Sequence, residues 1–311
     1  MLAFISGGCG FIGSHLTHAL VDAGYKVICV DDMSTGNIRL LDDIRSKIEL
    51  IVDDFASPSV LSKIRIMNPD VVFHLAALPR VGFSIDYPIE SAEANLYKPL
   101  KLLESCIGHC GRFINSSSSS VYGDCEVLPV SETAQTKPKS PYALQKSTFE
   151  SFLKLNCSLY SNKLDAVSLR YFTVYGPGQL PSSSYSTVIC SWMDAIKKGN
   201  PIILNGDGTR SRDFCYISNV VAANMLAALS TNKFSGESFN IACGESISLL
   251  QIIDMIKAYN VKFDIKYEKD RVGDVIRTHA NISAANNAIK YNPEIMFASG
   301  LERTMKWWNL I

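Results

Sequence analysis

Through its first half the chain alternates short apolar runs with longer stretches whose apolar residues recur at helical spacing. Residues 2–6 form a run of buried-strand length, glycines crowd positions 7–13, and residues 14–23 read as a helix closed by Gly24. Residues 25–30 form a second strand, ending at Asp31 and Asp32. Further strands are expected at 48–52, 71–75, 112–115 and 166–171, with helices at 92–110 and 142–160 between them. Strands separated by helices imply right-handed crossovers and a parallel sheet, hence an α/β, doubly wound fold. Ligands of such sheets bind beyond the carboxyl ends of the strands, where Gly7, Asp31, Asp54, Ala76 and Ser117 stand. After Tyr171 the texture changes: Gly176-Pro177-Gly178 opens a loop-rich crossing, followed by a helix at 188–198, a strand at 201–205 and a helix at 219–229. The expected organisation is a nucleotide-binding domain over 1–172. A smaller α/β substrate lobe spans 173–311, and some of its segments return to the first domain.

Composition narrows the classes. With 47% hydrophobic residues, the 311-residue chain can bury a sizeable core. Thirty basic and thirty acidic residues cancel, so no global field points to nucleic acid or to an anionic membrane. No apolar run reaches membrane-spanning length, and residues 2–6 are too short for a signal peptide. Nine cysteines lack C-x-x-C pairs, and Cys106 and Cys110 are expected to pack on one helix face. That usage suits a reduced, cytoplasmic protein. The five histidines show no metal-ligand spacing and read as structural.

Two constellations carry chemistry. Gly7, Gly10 and Gly13 follow a strand and open a helix, so the backbone can approach a pyrophosphate that faces the helix amides. Asp31, eighteen residues after Gly13, is spaced to bind adenosine ribose hydroxyls, and its charge would repel a 2′-phosphate, which favours NAD. The second constellation is Tyr142 and Lys146, four residues apart on a helix begun by Ser140-Pro141. An ammonium beside a phenol favours the phenolate, which can then act as a base near neutral pH.

With His74-Leu75-Ala76-Ala77, the serines at 116–120 followed by Val121-Tyr122-Gly123, Leu169-Arg170-Tyr171-Phe172-Thr173-Val174-Tyr175-Gly176-Pro177, Arg212-Asp213-Phe214 and Arg271-Val272-Gly273-Asp274, the whole length resembles the extended short-chain dehydrogenase/reductases, most closely their nucleotide-sugar 4-epimerases. The resemblance implies a Rossmann NAD domain beneath a lobe that closes over a UDP-sugar. It implies catalytic roles for Tyr142, Lys146 and Ser118. NAD contacts would come from Gly7, Gly10, Phe11, Ile12, Gly13, Asp31, Asp32, Ser34, Gly36, Asp54, Phe55, Leu75, Ala76, Ala77, Asn95, Ser116 and Tyr171. Substrate contacts would come from Arg80, Ser118, Thr173, Thr187, Val188, Arg212, Arg271, Asp274 and Thr278, with Arg212 and Arg271 matching phosphate oxygens as guanidinium forks.

Ser119 and Ser120 stand where dehydratases of the superfamily carry an acid and a base, so simple 4-epimerisation is expected rather than elimination. Thr278 stands where glucose-restricted members carry tyrosine, which points to UDP-GlcNAc and UDP-GalNAc. UDP-glucose and UDP-galactose are expected alongside or in their place; UDP-glucuronate or another nucleotide sugar is the alternative substrate, and a non-catalytic NAD-binding sensor or scaffold the alternative of another class. A homodimer through the helices at 92–110 and 142–160 is expected, with no nucleic-acid, membrane or metal partner.

Overall fold

The computed structural model describes residues 1–181, 187–269 and 275–311. The strands run β1 (Leu2–Ser6), β2 (Lys26–Asp31), β3 (Ile48–Val52), β4 (Val71–His74), β5 (Arg112–Ser118), β6 (Ala166–Tyr171) and β7 (Thr173–Tyr175). They continue as β8 (Ile202–Asn205), β9 (Ser211–Arg212), β10 (Phe214–Tyr216), β11 (Ser235–Ile241), β12 (Ile247–Ser248) and β13 (Ile265–Glu268). Helices of the first half are α1 (Phe11–Asp22), α2 (Pro58–Met67), α3 (Val81–Asp86), α4 (Pro88–Ala92), α5 (Lys98–Cys106) and α6 (Pro141–Leu159). Those of the second are α7 (Val188–Lys197), α8 (Ile217–Leu229), α9 (Leu249–Ala258), α10 (Ser283–Ile289) and α11 (Phe297–Trp307).

Seven strands form one sheet in the order β11-β6-β5-β4-β1-β2-β3, every neighbouring pair parallel. This is the doubly wound order, reversing direction between β1 and β4, with β11 added at the far edge. The sheet is buried on both sides. Phe4, Val72 and Phe113 pack with Phe149 and Leu153 of α6, while Ile5, Phe73 and Leu169 pack with Leu16 and Leu20 of α1 and Val220 of α8. Alternate residues of a strand face opposite sides, so runs such as Ala3-Phe4-Ile5 have no polar position. A separate core of Tyr175, Trp192, Phe214, Phe297 and Met305 fills the second lobe, whose strands pair as β7–β10, β9–β12 and β8–β13.

The expected helix at 92–110 needs correction. Helical structure starts at Pro88, passes through a π turn at Glu93–Tyr97, and ends at Cys106. The π turn stands immediately before the start of α5, whose second residue is Pro99; proline has no N–H and its ring clashes with the carbonyl four residues back, so the regular ladder cannot continue there. Cys110 lies beyond the helix, so the two cysteines share no helical face, although Cys106 itself is buried.

Candidate active site

The glycine turn is tight enough that side chains are excluded. Gly7 has φ 77°, and a Cβ there would sit 2.6 Å from the Ala76 amide nitrogen at the end of β4. A Cβ on Gly13, in the first turn of α1, would sit 2.0 Å from the Gly7 carbonyl oxygen. Strand end, turn and helix start are therefore packed backbone to backbone, and Gly10 caps α1 without any side-chain bond. Asp31 closes the floor: its carboxylate accepts the Cys9 amide at 2.9 Å and the Met33 amide at 3.0 Å. Burial pushes its pKa up, against the pull of those two amides. A glycine cradle, a helix start without a side-chain cap and a carboxylate one strand over fit a dinucleotide, with the pyrophosphate at the turn and the adenosine ribose at Asp31.

Helix α6 presents the Tyr-Lys pair. The Ser140 hydroxyl accepts the Ala143 amide at 3.2 Å, and Pro141 occupies the first turn, where its missing N–H costs nothing. Tyr142 and Lys146 are both buried. The Lys146 ammonium donates to the Ser116 carbonyl at 2.8 Å, tying the helix to the end of β5. Burial lowers its pKa to about 8, with Glu150 one turn along opposing the fall. His74 lies beneath, bonded to the Ser6 hydroxyl at 2.8 Å; burial and the Lys146 charge hold its pKa well below the ordinary value, so it stays neutral. The Ser118 hydroxyl accepts the Ser120 amide at 3.2 Å, and the Ser120 hydroxyl, itself buried, has no partner among the described residues.

The glycine turn, Asp31, Ser116, Ser118, Ser120, Tyr142 and Lys146 line one cavity of about 600 Å³ running from Asp31 to Thr187. Of the residues expected at the cofactor and substrate, Gly7, Gly10, Phe11, Ile12, Gly13, Asp31, Asp32, Ser34, Phe55, Leu75, Ala76, Ala77, Ser116, Ser118, Tyr142, Lys146, Tyr171 and Thr187 lie on its wall.

Others stand behind the wall rather than on it. Gly36 presses on Asp31, since a Cβ there would come within 2.5 Å of Oδ1. Asp54 is paired with Lys98 at 2.7 Å. Asn95 is buried and spends its amide on the Leu78 backbone, accepting the amide at 2.8 Å and donating to the carbonyl at 3.1 Å. Thr173 pairs through its amide with the Asp213 carbonyl, and Thr278 accepts the Asp213 amide at 3.0 Å; neither reaches the cavity wall. Arg80, Val188 and Arg212 also lie off it, Arg80 preceding α3, Val188 opening α7 and Arg212 ending β9. Arg271 and Asp274 lie outside the described residues.

Twelve wall residues were not among the expected contacts, and two of these, Lys98 and Gln179, bring polar side chains that sequence reasoning had not singled out. Gln179 is buried, and its side-chain oxygen accepts the Thr187 hydroxyl at 2.8 Å. Its position two residues after Pro177 was the only available signal. Lys98 had none, because its place on the wall depends on the irregular turn before α5.

The family model of the NAD dependent epimerase/dehydratase family matches residues 3–242. Among solved structures, the UDP-N-acetylglucosamine 4-epimerase from Methanobrevibacter ruminantium, in complex with UDP-N-acetylmuramic acid, is 35% identical. It superposes with a TM-score of 0.92 over 99% of this chain and 97% of that one. The UDP-glucuronic acid 4-epimerase from Bacillus cereus, in complex with UDP-glucuronic acid and NAD, is 32% identical with a TM-score of 0.89, covering 99% of each chain. The UDP-glucose 4-epimerase of Mycolicibacterium smegmatis is 28% identical, covering 99% of this chain and 98% of that one. Carrying the glycine turn, the acid that closes β2 and the Tyr-Lys helix in the sheet order of that fold, the chain belongs to the NAD-dependent epimerase/dehydratase family of extended short-chain dehydrogenase/reductases.

Proposed function

We propose that the protein is an NAD-dependent 4-epimerase of UDP-sugars. The observation that carries this reading is the convergence of Tyr142, Lys146 and Ser118 on the cavity whose other end is the glycine turn and Asp31. Bound NAD supplies a hydride acceptor that later returns the hydride. Tyr142 takes the proton of the sugar 4-hydroxyl, the Lys146 ammonium favours the phenolate that does so, and Ser118 hydrogen-bonds the same hydroxyl. The 4-keto sugar turns over and is reduced on its other face. Ser119 and Ser120 carry no ionisable acid or base, so the 4-keto sugar is not driven to eliminate water.

For the sugar, we favour the UDP-GlcNAc/UDP-GalNAc pair. Thr278 is small and held against the Asp213 backbone behind the cavity wall, so no bulky side chain projects from this position toward the sugar and an acetamido group is tolerated. One observation favours a second reading, UDP-glucuronate: the unpartnered Ser120 hydroxyl on the cavity wall suits an acidic oxygen. Product analysis on UDP-GlcNAc, UDP-glucose and UDP-glucuronate separates these. Thr278→Tyr is expected to lower N-acetyl turnover selectively, and turnover of UDP-glucuronate alone overturns the acetamido reading. If wild type and Tyr142→Phe are equally inert on all three while NAD stays bound, the chain is an NAD-binding sensor instead.

We also propose a homodimer. Leu144, Phe152, Leu155 and Leu159 fall on one face of α6 and are all exposed, as are Ile89 and Tyr97 on the adjoining helical stretch. An apolar stripe of that length is what a partner helix covers. All nine cysteines are free, which supports residence in the reducing cytoplasm.

A further inference from the structure

The base of the site contains an ion pair that the reaction as described does not use. Glu150, on α6 one turn beyond Lys146, and Arg170, on β6, are both buried. Arg170 grips the carboxylate twice, Nε to Oε1 at 2.9 Å and Nη2 to Oε2 at 2.6 Å. The same carboxylate accepts the Ser117 hydroxyl at 2.5 Å. Arg170 Nη1 also donates to the Tyr122 phenol at 2.8 Å, and that phenol donates to Asn240 Oδ1 at 2.6 Å. Ser117 and Tyr122 flank Ser118 on either side, at the end of β5 and in the 3₁₀ turn that follows. Glu150 thus joins the helix that carries Tyr142 and Lys146 to the segment that carries Ser118.

An ion pair out of water is an expensive way to join two elements, because a well-packed apolar pair of similar volume is often as stable or more so. Its charge has a use nearby. The Lys146 ammonium is buried, and a buried ammonium needs a compensating charge to stay protonated. The titratable and charged groups around it are Tyr142 and Glu150, one turn to either side on its own helix, and neutral His74 of β4, which feels its charge; one bond further out, Arg170 of β6 holds Glu150 and Tyr171 of β6 is bonded to Ser116. Tyr171 stays protonated, burial raising its pKa to about 12. Glu150 is the one carboxylate among them.

Building on the epimerase reading, we infer that Glu150 is a positioning residue of the reaction: from behind the site it keeps Lys146 in its ammonium form and, through Ser117, fixes Ser118 relative to Tyr142. Arg170 orients the carboxylate and anchors it to β6.

Three variants test this: Glu150→Gln, Ser117→Ala, and the double variant Glu150→Gln/Arg170→Met, which leaves no unpaired guanidinium. The readouts are kcat against pH on whichever UDP-sugar the wild type converts, and the Lys146 pKa by NMR of ¹³C-lysine-labelled holoprotein, assigned with Lys146→Met. Activity needs the ammonium, so kcat falls as pH rises through the lysine pKa. In Glu150→Gln that limb and the NMR pKa are expected about one pH unit lower, with kcat on the limb down about tenfold. The double variant loses the Arg170 cation as well, which offsets part of the fall, so its limb is expected between those of Glu150→Gln and the wild type. Ser117→Ala is expected to lower kcat about tenfold with KM and the limb unchanged, the effect of a misplaced hydroxyl. An unmoved lysine pKa in Glu150→Gln overturns the inference, as does a Ser117→Ala variant with the wild-type kcat. Should the wild type convert no UDP-sugar, the NMR titration still decides the role of Glu150, and it is the epimerase reading that falls.

Discussion

Replacing Gly13 by alanine adds one methyl group and should remove the cofactor. The new Cβ would stand 2.0 Å from the Gly7 carbonyl oxygen, 2.8 Å from the Gly8 Cα and 2.9 Å from the Gly7 carbonyl carbon. All three are backbone atoms of the turn, so no side chain can rotate out of the way. Relief requires the start of α1 to move from the turn by about 1 Å, and close-packed interiors resist such shifts. Overpacking typically costs about 1–3 kcal/mol, and a backbone clash belongs at the upper end. With an unfolding entropy of about 2 cal/mol/K per residue, a loss near 3 kcal/mol lowers Tm by only about 5 °C, so the variant should remain folded. Function suffers more, because a displacement of about 1 Å at a positioning site can cost on the order of 100-fold. The assay is NAD released on acid precipitation of the purified protein, beside a thermal melt. Gly24→Ala is the control: its φ is +79°, yet nothing lies within 4 Å of the added Cβ, so it should lose some stability and keep its NAD. Gly13→Ala protein that carries a full complement of NAD at an unchanged Tm would refute the close-packing argument.

Two further outcomes follow from other parts of the molecule. Arg112 donates to both oxygens of Asp165 and to the carbonyls of Ala227, Ser230 and Asn232, with the Phe234 ring stacked at 4.7 Å. Arg112→Met strands a carboxylate and three carbonyls, so urea unfolding should show a loss of about 3–5 kcal/mol, and Arg112→Lys should not rescue it, because an ammonium cannot reproduce the fork. A loss under about 1 kcal/mol would contradict the assignment of this cluster as a structural clamp. Leu155→Glu places a charge in the exposed α6 stripe, and if the proposed dimer forms through it, light scattering should report a dimer for the wild type and a monomer for the variant; equal masses would refute a dimer through α6.

What the sequence disclosed divides along physical lines. Strands β3 and β6 match their expected bounds, because each is a mainly apolar run entered from a charged residue, Lys47 and Asp165, although Glu49, Ser168 and Arg170 interrupt them, and the glycine turn announced itself through spacing that few other structures need. Burial of Tyr142 and Lys146 at the cavity follows from the capped start of α6. The interruption before Pro99 was legible in principle, since proline within a helical run marks a break, but its form as a π turn was not. Contacts distant in sequence left no local trace: Asn95 on the Leu78 backbone, Thr278 on Asp213, and Lys98 at the cavity are each set by tertiary packing. Glu150 and Arg170 illustrate the same limit. Both sit in segments that were read correctly, yet only the fold brings β6 beside α6 and turns two ordinary charged residues into a pair.

The placement of β11 has a bearing on how the chain can be cut. Ser235–Ile241 pairs with β6 from Ala166 to Tyr171, and Asn240 reaches from it to the Tyr122 phenol and the Val130 carbonyl. A recombinant fragment stopped near residue 172 would leave β6 with a bare row of amides and carbonyls, an invitation to sticky edge-to-edge association. Separate expression of the two halves is therefore a poor route to either ligand site, and a co-expressed or intact polypeptide is the material on which binding studies should be done.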